Sequence, residues 1–537
     1  MDAPDLIADH PRTRRSRVVL ALLVAALVGL SIGPARLAGP HLATASAAAD
    51  IVRILLGPAD ELDPALQGDI GSAAVTAQLF ESLTAIDARL ETRPALAASW
   101  DFRDNGATVV FHMRPGLTFS DGSPLGAADV VRSWFRIIDP AHPSPLVTLM
   151  GDVVNAVAYA RGVEKDKGKV GLSAAGDDVV VRLNRPATDF PTIVSGPTFA
   201  IVPATVDAPQ GLSAGDGFVG SGGYVLSAAT DQKSTLKAND HYWAGRPAIG
   251  MVELVHDIGG RSPVAAFEGG DIDLTDVSPF DATWLAYDDA LGPLLRRSDV
   301  LSLHYYGFDT SRPPFDDVRV RQAFARAVDW RRLIALSSAG AATPATGMVP
   351  PGMPGRSGAD FLPAHDPDGA RALLSEAGFP EGRGFPEVTL LGGGNEDRAF
   401  AAEIKQQLGV TVSIEVQGDG FFDRLTADPP QIFSMGWVAD YPGPNDFLGI
   451  LLGSDASNNY GRWKSAPFDK AIADALGAPD AAAARTAFDT AEGIVRDEAP
   501  TIPLTYDGSW SLARNGLLGA YDNGLGIIRM AGLAWRG

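Results

Sequence analysis

One segment of the 537-residue sequence sets a carboxylate between aromatic rings: Gly436-Trp437-Val438-Ala439-Asp440-Tyr441-Pro442, continuing into Gly443-Pro444. A loop aspartate commonly serves as a turn or capping residue, so the segment by itself leaves a structural and a binding role open. Two glycine-rich patterns suggest other chemistry. Gly211-Leu212-Ser213-Ala214-Gly215 has the G-x-S-x-G spacing of a nucleophile elbow, but an elbow needs a strand before the serine and a helix after it, and neither pattern is present. Gly215-Asp216-Gly217-Phe218-Val219-Gly220 fits the G-x-G-x-x-G of a dinucleotide cradle, yet it leads from a loop into a strand where a helix should begin. The eight histidines, at 10, 41, 112, 142, 241, 256, 304 and 365, show no H-E-x-x-H and no paired spacing, so no metal site is expected. No P-loop or kinase pattern occurs either. No cofactor and no catalytic residue are assigned, and the protein is expected not to be an enzyme.

The elements that would position these residues alternate between strand and helix. Residues 108–114 alternate as a half-buried strand, with Val109, Phe111 and Met113 on one side. From Ala127 the period changes to that of an amphipathic helix carrying Val130, Val131, Trp134, Phe135 and Ile138, with Asp129 in its first turn. Residues 178–183 and 223–227 read as further strands. Asp317 can cap a helix bearing Val320, Phe324, Ala327 and Val328. The run 388–391, 396–408 and 410–416 reads as strand, helix, strand, which implies a partly parallel sheet. Loops rich in proline and glycine at 203–223, 311–315 and 341–363 mark candidate boundaries. The fold class is mixed α/β.

With 65 acidic and 44 basic side chains the net charge is −21, which argues against a partner bound through its phosphates, so no nucleic acid is expected. There is no cysteine, which excludes disulfides, thiolate metal sites, cysteine nucleophiles and a lipid-modified N-terminal cysteine. Arg12, Arg14, Arg15 and Arg17 precede an uncharged, mostly apolar run at 18–32, followed by small residues with cleavage patterns at Ala45-Ser46-Ala47 and Ala47-Ala48-Ala49. This order predicts an export signal over residues 1–49, its apolar run shorter than the roughly 20 residues of a spanning helix. An uncleaved anchor is the alternative, and Arg14-Arg15 leaves both general and twin-arginine export open. A periplasmic or extracytoplasmic protein that is not a lipoprotein is expected.

Several blocks, in order, resemble the dipeptide, oligopeptide and nickel-binding group of extracytoplasmic solute-binding proteins, family 5, the receptors of ABC importers. They include Asp60-Glu61-Leu62-Asp63-Pro64, Leu79-Phe80-Glu81-Ser82-Leu83, Pro94-Ala95-Leu96-Ala97-Ala98-Ser99-Trp100 and Phe119-Ser120-Asp121-Gly122-Ser123-Pro124-Leu125. Gly220-Ser221-Gly222-Gly223-Tyr224 and Asn239-Asp240-His241-Tyr242-Trp243 follow, and then the most specific block, Phe308-Asp309-Thr310 through Pro313-Pro314-Phe315-Asp316-Asp317-Val318-Arg319-Val320-Arg321-Gln322-Ala323. Ala499-Pro500-Thr501-Ile502-Pro503-Leu504 closes the series.

The resemblance implies a two-lobed periplasmic-binding-protein fold (type II, venus-flytrap) with an extra subdomain inserted in the first lobe. It places the first lobe at 50–92, 218–305 and 500–537, the insert at 93–217 and the second lobe at 306–499. By the same resemblance Asp440 pairs with a ligand ammonium and Trp437 lines a side-chain pocket, with Gly436, Tyr441 and Tyr460 as further ligand-binding residues. An ammonium taken out of water needs a compensating charge, which a buried carboxylate supplies. Asp309 and Gly443 depart from residues common in the family. Arg424 and Arg462 are the candidates, by proximity in sequence, for holding a peptide carboxylate. The implied function is a monomeric receptor for a peptide or small amine-containing solute that works with ABC permease and ATPase subunits. A nickel-chelate or sugar receptor of the same fold is the alternative; a secreted hydrolase is the alternative of another class, and a sensor or chaperone a third.

Overall fold

The structure is a computed structural model describing residues 50–207, 212, 214–215, 217–337, 342–418, 420–522 and 524–536. The expected export signal at 1–49 and Gly211, Ser213 and Asp216 of the two glycine-rich patterns lie outside the described residues. Among the described residues no helix is long and apolar enough to cross a membrane.

Two mixed sheets organise the chain. The first has seven strands in the order Leu295–Asp299, Gly508–Ala513, Leu274–Val277, Ile51–Leu55, Met251–Val255, Lys233–Ala238, Tyr224–Ala229. Its centre is parallel, Ile51 to Leu55 lying in register with Met251 to Val255. The second has six strands in the order Thr343–Pro344, Thr501–Tyr506, Ser302–Phe308, Ile432–Val438, Val388–Gly392, Val412–Val416. Val388–Gly392 and Val412–Val416 run parallel, joined by the helix Asn395–Leu408, as the period change in the sequence predicts. A four-stranded antiparallel sheet, Ala97–Arg103, Thr108–Met113, Asp178–Arg182, Leu172–Ala175, stands apart from both within residues 93–217. The helix Ala127–Ile137 covers it. Its Trp134 is fully buried, meets Phe111, Phe190 and Phe199 edge-on at 5.6–6.3 Å, and donates its indole N–H to the Phe199 carbonyl at 2.9 Å. Such edge contacts add about 0.5–1.5 kcal/mol each beyond burial.

The strands differ from the expected lobe limits at two points. Ser302–Phe308 is one strand of the second sheet, so the expected change of lobe between residues 305 and 306 falls inside it. Thr501–Tyr506 also belongs to the second sheet, whereas Gly508–Ala513 belongs to the first. The chain therefore passes between sheets at 300–301 and at Asp507. The first passage, Val300-Leu301, is apolar and gives no sign of itself, whereas the second carries the Asp507-Gly508 turn signal.

The blocks that carry the resemblance have mechanical roles. Phe315 stacks on Phe308 at 4.6 Å and meets Phe324 edge-on at 5.0 Å. In the helix Val318–Ala327, capped by Asp317, Arg321 donates to the Glu498 carbonyl and Gln322 to those of Arg496 and Asp497. These satisfy carbonyls that the helix Ala481–Glu498 leaves open at its end. The Gly220-Ser221-Gly222 turn is a backbone splice: a Cβ on Gly222 would lie 2.4 Å from the Gln78 carbonyl oxygen and 2.6 Å from the Leu79 carbonyl carbon. Ser221 completes it, accepting the Glu81 N–H and donating to the Ile201 carbonyl. Gly222→Ala must push backbone apart and is expected to cost about 2 kcal/mol or more, lowering the melting temperature by several degrees in a calorimetric scan; an unchanged melting temperature would remove this contact from the fold's requirements.

Candidate functional site

The strand Ile432–Val438 buries Ile432, Phe433 and Met435 and delivers the next residues to the gap between the sheets. The Ala439 N–H donates to the Leu301 carbonyl at 2.8 Å, which pins the strand end to one of the two chain passages. Beyond it the backbone turns sharply. Gly443 packs on the Tyr441 ring, where a Cβ would come within 2.6 Å; this is the physical reason for the departure noted at that position.

Asp440 emerges from this turn into a cavity of about 150 Å³. The helix Ile70–Leu79 and its cap contribute Asp69, Ile70, Ala73 and Ala77; residues within the insert contribute Leu146, Leu149, Ser195 and Thr198. Leu525, Ile527 and Arg529 come from the C-terminal segment, and Ala439 and Asp440 from the second sheet's side. The walls are largely apolar, with few polar groups, the usual construction of a small-molecule site.

The charges are unequal in their freedom. Arg529 pairs with buried Glu81 at 2.5 Å, and Glu81 also accepts from Tyr242 Oη at 2.5 Å and Trp243 Nε1 at 3.3 Å. Its positive charge is already answered. Asp69 caps its helix by accepting the Ser72 N–H at 2.8 Å, and its bonds to Ser72 hold it below the usual carboxylate range. Asp440 has no ion-pair partner among the described residues, and burial pushes its carboxyl up to about 6. The cavity therefore presents two acids without an ion-pair partner among the described residues, Asp69 held by its bonds to Ser72 and Asp440 without such bonds.

Of the residues singled out in the sequence, Asp440 alone lines this cavity. Trp437 is half-buried against the second lobe's core and donates its indole N–H to Asp446 Oδ2 at 2.9 Å. Gly436 is exposed beside His304, whose ring a Cβ would approach to 3.0 Å. Tyr441 is buried and donates its hydroxyl to Asp189 Oδ2 of the inserted segment at 3.0 Å. Tyr460 packs beside Phe422, ring centroids 6.3 Å apart, on the second lobe's own core. Arg424 is engaged by Asp428 at 2.9 Å and Glu415 at 3.6 Å, and Arg462 lines a separate opening with Lys464 and Glu498. Asp309 is buried against Arg312 at 2.7 Å and bonds Ser311, a local structural role. Asp69, Ser195, Thr198, Arg529, Asp189 and Asp446 were not singled out from sequence. All but Asp446 come from distant segments, and only Asp69 carried a local signal, that of a helix cap.

Comparison with known proteins identifies the fold and the family. Residues 91–459 match the bacterial extracellular solute-binding proteins, family 5. The chain is 31% identical over 469 residues to the probable deoxycholate-binding periplasmic protein YgiS of Escherichia coli K12, covering 83% of this chain and 85% of that protein. It is 28% identical over 480 residues to the periplasmic murein peptide-binding protein MppA of the same organism, covering 85% and 87%. The unliganded open form of MppA superposes with a TM-score of 0.76 at 25% identity, over 90% of this chain and 97% of that one. The match of residues 91–459 to the family, with a relative 31% identical over most of both chains, makes this protein a member of the extracellular solute-binding proteins, family 5.

Proposed function

We propose that the protein is the exported receptor of an ABC importer, binding a small amine-bearing solute, a short peptide foremost, between its lobes and passing it to a membrane permease. The observation that carries this reading is the unpaired carboxyl of Asp440 in a cavity whose arginine is already neutralised by Glu81. A ligand ammonium would supply the missing cation, and an ion pair formed away from water is strong because neither partner then has a substitute. The names of relatives support the class: MppA is a murein peptide-binding protein, and oligopeptide- and dipeptide-binding proteins are among the other relatives. The deoxycholate named for YgiS is a carboxylate and would meet Asp440 with like charge, so the charge of this cavity favours the amine.

Tri-alanine and its N-acetylated form separate these readings in calorimetric titration. Tri-alanine is expected to bind and N-acetyl tri-alanine to bind far more weakly. Asp440→Asn should weaken tri-alanine by about two orders of magnitude or more, the usual consequence of leaving one buried charge unpaired. Equal affinity for both forms would end the amine reading, and binding of deoxycholate with tri-alanine silent would replace the substrate class.

The pH dependences of affinity and of stability run in opposite directions. Protonation removes the charge that attracts the ammonium, so tri-alanine affinity should fall as pH drops through about 6. The unliganded protein behaves the other way. Asp440 holds its proton more tightly folded than unfolded, so its contribution to stability declines as pH rises from about 4 to 6 and stays lost above. Asp440→Asn should therefore stabilise the empty protein at pH 8 by on the order of 1 kcal/mol and leave it unchanged at pH 4. Melting curves of both proteins at the two pH values test this, and a variant less stable than wild type at pH 8 would contradict it.

A further inference from the structure

Six residues beyond Asp440 lies a second aspartate that the cavity does not reach. Asp446 is 0% exposed. Its Oδ2 accepts two N–H groups, the Trp437 indole Nε1 at 2.9 Å and the backbone N of Asp440 at 3.2 Å. Its Oδ1 has no hydrogen-bond partner. Its neighbour Asn445 donates to Tyr441 Oη at 3.0 Å, and Tyr441 donates in turn to Asp189. Among the described residues the charged or titratable groups acting on Asp446 are the Asp440 and Asp189 carboxyls and, five residues earlier in the chain, Tyr441, none of them a cation. Burial first, and Asp440 next, push its carboxyl well above the usual range. A carboxyl group so placed is a net cost to folding unless its hydrogen bonds serve something else.

What those bonds join is informative. One goes to the backbone of the residue that offers the free acid to the cavity, the other to the large aromatic ring three residues earlier. The backbone between them is held by the neighbouring strand, through Val438 opposite Ser302 and the Ala439 N–H on the Leu301 carbonyl, whereas the Trp437 ring and the Asp440 amide meet on the Asp446 carboxyl. We infer that Asp446 is the positioning residue of the ligand site: its carboxyl takes the Asp440 N–H and the Trp437 indole N–H on one oxygen and so fixes the acid that meets the ligand and the adjacent ring as a single unit. The inference rests on the reading of Asp440 as the ligand's partner. Asparagine at 446 keeps an acceptor at the same reach without the second acid; alanine removes it.

The test uses the mature chain, residues 50–537, as wild type, Asp446→Asn and Asp446→Ala, with two readouts. Hydrogen exchange of the Asp440 amide and the Trp437 indole needs no ligand. Both protons should exchange slowly in wild type and Asp446→Asn, and about tenfold or more faster in Asp446→Ala, as the loss of a hydrogen bond worth about 1.4 kcal/mol would give. Tri-alanine affinity should follow the same order: Asp446→Asn within about threefold of wild type with its pH midpoint unmoved, Asp446→Ala weaker by about tenfold. Asp446→Asn losing affinity as severely as Asp440→Asn would overturn the inference, because Asp446 would then act as a second charge. Unchanged protection in Asp446→Ala would overturn it too. Failure of wild type to bind tri-alanine would count against the amine reading alone, since exchange still decides the positioning role. Should Asp446→Ala not fold, fast exchange of the Asp440 amide in wild type would overturn it and slow exchange in both wild type and Asp446→Asn would support it.

Discussion

Two passages of backbone, at 300–301 and at Asp507, carry the chain between its two large sheets, and the position of every cleft residue depends on them. They are tied to each other: the Val300 N–H donates to the Asp507 carbonyl at 3.2 Å, and the Asp507 N–H to Ser302 Oγ at 3.0 Å. Ser302 Oγ returns a bond to the Asp507 carboxylate at 2.8 Å, and His304 Nε2 lies 3.0 Å from the same oxygen. Because the Ala439 N–H bonds the Leu301 carbonyl, the turn that offers Asp440 is anchored to the passage itself. Hinges between lobes commonly lie at such few-residue passages at strand ends.

Much of the architecture was legible in the sequence because it rests on local rules. The switch from alternation at 108–113 to helical period at 127–137, the Asp317 cap and the strand-helix-strand unit from Val388 to Val416 each follow from one element's own pattern. The two lobe passages were not legible as changes of sheet. Strands that belong to different sheets follow one another with buried residues on either side, and sheet membership is a pairing property that no single strand encodes. The most specific block, around Pro313 to Ala323, carries hydrophobic and helix-end contacts, which shows that a strong sequence signature can record packing.

The site was legible in part for the same reason. Asp440 stands out within its segment, but the reach of Trp437, Tyr441 and Tyr460 depends on which way the chain turns at Gly443, and the turn sends them to Asp446, to Asp189 and to the second lobe's core. Arg529 and Glu81 are 448 residues apart, so their mutual cancellation, which decides the sign of the cavity's charge, is invisible until the chain is folded.

Tyr441 and Asp189 join the second lobe to the insert directly, and Thr188 adds N–H and hydroxyl bonds to the Leu476 carbonyl nearby at 3.3 and 3.1 Å. Any separation of the second lobe from the insert must break these bonds, so the balance between open and closed arrangements is set in part by groups that do not line the cavity.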